Sequence, residues 1–351
     1  MKKIISVMLL FICITAFNIN AQAVSASAYT VIEKSSGRIL YESNGNKRMA
    51  MASTTKVMTA ILVIENLDLY KIYDIPDEAV GIEGSSIYLK KGEKLTGEEL
   101  LYGLMMASGN DAAYALAILT SGSSEDFIAL MNEKARELNL KDTHFEDPCG
   151  LKSENHYTTS NDLARLCAYA MNNDIFKKVV STKNYQIGED KNLRYLYNKN
   201  RILGELEGGD GIKTGYTRNA GRCLCSSATR NGVQVICVVL NDYNWFNDSK
   251  TLLNKAFSEY KFVQISKKDE IVTSANIFGG NSEKCDIITK EDVFYPLKKG
   301  EYLKAKYELL LDTDAPVKKG QGAGEIKFFF ENKEVIKVPC VFKEDVQGGR
   351  K

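Results

Sequence analysis

The chain has 351 residues, long enough for one large domain with a smaller one beside it. Its 46 basic and 45 acidic side chains nearly cancel, so neither a nucleic acid nor an anionic membrane surface is implied as a partner. Two histidines and eight irregularly spaced cysteines give no metal-ligand set and no disulfide framework, and no cofactor is expected.

The chain opens with Lys2 and Lys3, then an apolar run over residues 4–17, then the small-residue triplets Ala21-Gln22-Ala23 and Ala26-Ser27-Ala28. That order predicts a secretory signal peptide over residues 1–28, cleaved on export. The run is shorter than the roughly 20 apolar residues of a transmembrane anchor. No lipobox precedes Cys13, so lipid attachment there is not expected. Removing the leader leaves 44 basic against 45 acidic residues and seven cysteines, several of them in apolar surroundings such as LCAYA and VQVICVVL. Free cysteines there behave as small buried hydrophobes. Cys223 and Cys225 resemble half a metal site, but no second paired-cysteine element completes it.

Next, TVIEKSSGRILYE alternates apolar and polar residues around Ser-Ser-Gly and predicts a β-hairpin. Ser53 opens an apolar helix that runs to about residue 67. Thr96-Gly97-Glu98-Glu99 is a capping-box signature ahead of ELLYGLMMA. That helix breaks at Ser108-Gly109-Asn110 and resumes as DAAYALAIL. Helical patterns cover residues 125–138 and 161–171, and residues 140–159 form a long aperiodic loop between them. Beyond IKTGYT, two β runs flank Arg230-Asn231-Gly232, a hairpin signal, and SKTLLNKAFSEY forms a closing helix.

Strands at both ends with helices between predict one antiparallel sheet, flanked by helices, whose first and last strands meet: an α/β (α+β) fold. From residue 261 every pattern is a short strand, which predicts a small all-β domain over 261–345 and a tail over 346–351, after a main domain over 29–260. The GQGAG stretch at 320–324 has no helix pattern after it and reads as a turn, not a phosphate loop.

Ser53 and Lys56 are the residues that suggest chemistry. Residues three apart on a helix share a face, and a serine at a helix start has free backbone N–H groups and the positive dipole end beside it. Serine needs an adjacent base. Lysine can be that base once burial or a second cation brings its pKa toward about 7–8. The S-x-x-K pattern alone is weak, since Ser258-Glu-Tyr-Lys261 repeats it. Ser108-x-Asn110 at a helix break and Lys213-Thr214-Gly215 at a strand start make the first copy different. The set S-x-x-K, S-x-N, K-T-G is the signature of penicillin-binding proteins and class A β-lactamases.

MASTTKVMTA, MMASGNDAAYALA, HFEDPCGLKSENHYTTSNDLARL and GIKTGYTRNAGRCL resemble the D-alanyl-D-alanine carboxypeptidases, low-molecular-mass penicillin-binding proteins, over residues 29–260. APVKKGQGAGEIKFFFENKEVIKVP is similar to that family's C-terminal domain. The resemblance implies a β-lactamase/transpeptidase-like domain followed by a small β domain. It also implies an exported, extracellular or wall-associated serine peptidase. Its substrates would be peptidoglycan stem peptides ending in D-Ala-D-Ala, and β-lactams would acylate it. On matching positions, Ser53 would be the acylated nucleophile, Lys56 its base and Ser108 a proton relay. Asn110 would hold Lys56 and the substrate amide. Lys213 would supply positive field that keeps Lys56 poised and helps anchor the ligand, and Thr214 would bind the terminal carboxylate. The Gly215–Tyr216 corner would bring the Tyr216 N–H beside that of Ser53 as an oxyanion hole.

Three departures stand out. Cys149 in DPCGL replaces a histidine common in relatives. Either Lys199 or Arg201 could be the extra basic residue that assists carboxylate binding. Many relatives carry a terminal amphipathic helix, whereas FKEDVQGGRK has no apolar face, so a soluble or wall-associated enzyme is expected. Two other readings compete: a β-lactamase of the same fold, for which Glu146 lacks the accompanying loop residues, and a non-catalytic wall-binding protein.

Overall fold

The computed structural model describes residues 24–151 and 154–349. Most of the predicted leader lies outside the described residues.

In chain order, β1 (Ala28–Glu33) and β2 (Ile39–Ser43) form the expected hairpin, and α1 (Lys56–Asn66) follows a 3-10 turn over Ala52–Thr55. The short strands β3 (Ile72–Asp74) and β4 (Lys94–Thr96) lead to α2 (Gly97–Tyr102), where Thr96 and Glu99 form the predicted capping box. A π-helical turn over Gly103–Ala107 ends at Ser108, which is left-handed at φ 64°, before α3 (Asn110–Ser121) begins. The helices α4 (Ser124–Glu137), α5 (Ser160–Ala170) and α6 (Asp174–Ser181) follow. Next come the hairpin β5 (Asn184–Ile187) and β6 (Arg194–Tyr197) and the short α7 (Ile202–Glu205). The strands β7 (Gly209–Thr217), β8 (Gly221–Arg230) and β9 (Val233–Leu240) and the helix α8 (Trp245–Glu259) complete the main unit.

The main sheet has the order β2-β1-β9-β8-β7, all antiparallel. As the sequence predicts, the first strand meets the last: Thr30 faces Val238 in the β1–β9 ladder. The β8–β9 turn has Asn231 and Gly232 at φ 50° and 80°, the positive values that a tight hairpin demands. The run VQVICVVL has no polar alternation because both faces of β9 are covered. Ile236, Val238 and Leu240 join the core under α1, α3 and α5, while Val235, Cys237 and Val239 join a second core under α8. The seven described cysteines are all buried free thiols. Burial pushes Cys223 up to about 12 and Cys225 well above the ordinary thiol value, so these two pack as hydrophobes.

The remainder is all β: β10 (Lys261–Ser266), β11 (Ile271–Phe278), β12 (Lys284–Thr289), β13 (Val293–Leu297), β14 (Lys304–Leu309), β15 (Asp312–Asp314), β16 (Gly322–Phe330) and β17 (Lys333–Phe342). Six of these strands form a sheet in the order β14-β16-β17-β12-β11-β15, and β10 pairs with β13. The unit has its own core around Ile277, Ile287, Val338 and Phe342. Arg38 ties it to the main unit: the guanidinium pairs with Glu301 at 3.0 Å and lies 4.5 Å from the Phe330 ring centre. No helix among the described residues is long and apolar enough to cross a membrane.

Candidate active site

Ser53 sits on the 3-10 turn and Lys56 on the first turn of α1, directly beneath it. Apolar spacing buries α1 almost all round, so the Lys56 side chain is carried into the core at 0% exposure. Lys56 Nζ lies 2.9 Å from Ser53 Oγ, 2.7 Å from Asn110 Oδ1 and 3.0 Å from the Cys149 carbonyl oxygen. Burial brings the ammonium down to about 8; the Cys149 thiol and Asp147 oppose the fall and Lys199 adds to it.

The amide and carbonyl oxygens can only accept. An unprotonated Lys56 has two hydrogens and one lone pair. The ammonium form donates to all three oxygens; in the neutral form two hydrogens serve Asn110 and Cys149 and the lone pair is free for the Ser53 hydroxyl.

Asn110 is fixed on its other side, its Nδ2 donating to the Glu83 carbonyl at 2.6 Å and its backbone N–H to Ser85 at 2.7 Å. Ser108 is buried in the same cleft. Its hydroxyl forms no hydrogen bond with Lys56 or Lys213 among the described residues.

On the opposite wall, β7 brings the third motif against the 3-10 turn. A Cβ at Gly215 would stand 2.9 Å from the Ser53 nitrogen and 3.0 Å from the Thr54 nitrogen, so only glycine lets the strand come this close. Lys213 is 2% exposed and Thr214 is 8% exposed, whereas the Tyr216 side chain turns outward. Burial lowers Lys213 well below the ordinary lysine value, with Lys56 and Lys199 adding to the fall. Lys199 joins them, its Nζ donating to the Ala107 carbonyl at 2.8 Å. Arg201 does not: it pairs with Glu205 at 2.6 Å and covers the Phe246 ring. Of the two basic candidates, the structure brings only Lys199 to the cleft.

Burial, one of the two causes the sequence offered, leads the Lys56 shift and Lys199 adds to it, while Lys56 in turn helps to lower Lys213. The substitution at Cys149 also finds its reason: the group that touches Lys56 is the backbone carbonyl, which any residue supplies.

Sequence reasoning passed over several supports. Asp111 accepts from the Ile87 and Leu89 N–H groups at 3.1 Å and holds the loop that grips Asn110. Asp147 accepts from the N–H groups of Cys149 and Gly150. His156 Nδ1 accepts from the Glu146 N–H at 3.0 Å, which leaves the ring proton on Nε2, 2.7 Å from Thr55 Oγ1. Thr55 in turn donates to the Ala52 carbonyl. An acid in the first turn of α3 and an Asp-Pro-x-Gly turn were the signals available for the two aspartates.

Residues 15–244 match the D-alanyl-D-alanine carboxypeptidase family and residues 260–348 match the penicillin-binding protein 5 C-terminal domain. The chain is 33% identical to the D-alanyl-D-alanine carboxypeptidase DacF of Bacillus subtilis over 99% of its own length and 95% of the relative's. It is 32% identical to DacC of Escherichia coli, over 94% and 86% of the two chains. The crystal structure of penicillin binding protein 5 from Haemophilus influenzae superposes with a TM-score of 0.73 at 26% identity, over 93% of this chain and 98% of that one. The motif cleft and both matched regions lead to one conclusion: this chain belongs to the D-alanyl-D-alanine carboxypeptidase family of low-molecular-mass penicillin-binding proteins.

Proposed function

We propose that the enzyme removes the terminal D-alanine from peptidoglycan stem peptides through an ester formed on Ser53. Lys56 Nζ takes the Ser53 proton as Oγ attacks the carbonyl carbon of the penultimate D-alanine. The backbone N–H groups of Ser53 and Tyr216 receive the oxyanion. The C–N bond then breaks, and the departing amine takes a proton that Lys56 returns by way of Ser108. Water hydrolyses the ester and regenerates the serine. Thr214, Lys213 and Lys199 bind the carboxylate of the leaving residue, and that anion restores the ammonium charge which burial disfavours in the empty cleft.

The observation that carries this reading is the set of three Lys56 partners, two of them pure acceptors and the third Ser53 Oγ. β-Lactams would enter by the same route and acylate Ser53. The charged and small residues that flank the apolar run at residues 4–17 support action outside the cytoplasmic membrane. The test is Ser53→Ala: D-alanine release from a diacyl-D-Ala-D-Ala peptide and labelling by fluorescent penicillin should both vanish. Labelling that survived would place the nucleophile elsewhere.

A further inference from the structure

The first described residues are built into the fold. Val24 and Ala26 pack on the core beneath α8, the Ser27 N–H donates to Leu240 and Asn241 carbonyls at 3.1 and 3.2 Å, and Ala28 opens the β1–β9 ladder opposite Leu240. Between them, Ser25 lies over two acids. Its N–H donates to Asp248 Oδ2 at 2.6 Å, and its hydroxyl meets the same oxygen at 2.9 Å and also Asp242 Oδ1. Asn244 closes the group, its N–H on Asp242 Oδ1 and its Nδ2 on Asp248 Oδ1, both at 3.0 Å.

This group is short of positive charge. Asp242 and Asp248 are 1% and 4% exposed, and Asp242 Oδ2 is buried without a hydrogen-bond partner. Among the described residues no lysine or arginine pairs with either acid. One hydroxyl proton cannot serve both carboxylates, and buried carboxylates without a counter-ion are costly. Burial leads in moving the Asp242 carboxyl up to about 6; the Ser25 hydrogen bond opposes the rise, and the charge and hydrogen bond of Asp248 add to it.

We propose that the leader is cut between Ala23 and Val24, and that the α-ammonium group so created is the counter-ion of the Asp242–Asp248 pair. The step is a hydrolysis: water adds across the Ala23–Val24 amide and gives a carboxylate on Ala23 and an amine on Val24 that is protonated at neutral pH. Ala21-Gln22-Ala23 places small residues where a signal peptidase reads them. A cut after Ala28 would instead discard Ser25, Ser27 and the first rung of β1. After the upstream cut, the new amine is one residue from an N–H that is 2.6 Å from Asp248, so it lies within roughly 6 Å of that carboxylate. Opposite charges at this range favour one another's charged forms. An uncut chain has only a neutral amide at this point. Processing therefore adds an ion pair as well as removing the leader.

The inference rests on the reading that the chain is exported, and the experiment separates the two. The full chain is expressed in an exporting bacterial host, and the exported protein is analysed by intact mass and N-terminal sequencing. A start at Val24 is expected; a start at Tyr29 overturns the cut. An uncut chain held inside the cell overturns the export reading, and with it the cut, and its mass identifies it. Protein starting at Val24 is then compared with protein carrying Gly-Ser ahead of Val24, which moves the ammonium away. The extension should lower Tm by about 2–3 °C at neutral pH, and should leave Tm unchanged in an Asp242→Asn/Asp248→Asn background. Equal Tm in the parent background overturns the counter-ion. A loss that millimolar calcium reverses would assign the pair to a metal cation and overturn it as well.

Discussion

Gly150 lies directly against Ala52: a Cβ added at position 150 would stand 1.9 Å from the Ala52 carbonyl oxygen. Both residues have positive φ, 89° for Gly150 and 48° for Ala52. Two unusual backbone conformations therefore meet beneath the turn that carries Ser53. Gly150→Ala should cost about 2–4 kcal/mol in thermal or urea unfolding and remove penicillin labelling. Gly215→Ala presses on the Ser53 and Thr54 nitrogens and on the Ala52 Cβ. It should keep Tm within a few degrees while slowing acylation by about a hundredfold or more.

Much of this was legible in the sequence. The hairpin at the start, the capping box at Thr96, the helix break at Ser108 and the meeting of first and last strands all follow from local patterns, and each is present. Lys56 meets Ser53 and Asn110, and Gly215 of the third motif lies against the Ser53 nitrogen. The hairpin of β5 and β6 was not legible, because β5 alternates over only four residues and β6 sets two exposed tyrosines on its outer face. Nor could spacing choose Lys199 over Arg201. That choice depends on Glu205 and Phe246 holding Arg201 away, which is a property of the packed molecule.

Lys199 and Arg201 should therefore separate in kinetics. Lys199→Ala removes a cation from the carboxylate end of the cleft and should raise KM for a D-Ala-D-Ala peptide by about tenfold or more, the size of one lost charged contact. Arg201→Ala should leave KM within about twofold. Steady-state assays of D-alanine release check both; equal effects would remove Lys199 from substrate binding.

Asp111 is a support whose loss should show in stability and catalysis together. Asp111→Ala leaves the buried Ile87 and Leu89 N–H groups without their acceptor and should cost about 2–4 kcal/mol in urea unfolding. Because the same loop accepts from Asn110, penicillin acylation should slow as well. A variant with normal acylation would show that the loop holds Asn110 without this carboxylate.

The Lys56 shift has a pH signature with a definite sign. The base form is scarce below about 8, so acylation by penicillin should rise tenfold per pH unit up to about 8 and then level off. Stability moves with it. The folded-state value lies below the unfolded lysine value of about 10.4, so the unfolded chain holds more protons between them. The cost of burying this amine is full below about 8 and is relieved as pH rises toward 10.4. Urea midpoints of the parent and Lys56→Met proteins should converge across that window.

Direct titration of the amine is the sharpest test. With lysine labelled at the ε-carbon and the Lys56 signal assigned by its loss in Lys56→Arg, the NMR shift should titrate with a midpoint near 8 in the ligand-free enzyme. A Lys56 signal that stays in its charged position to pH 10 would contradict a neutral lysine as the base for Ser53.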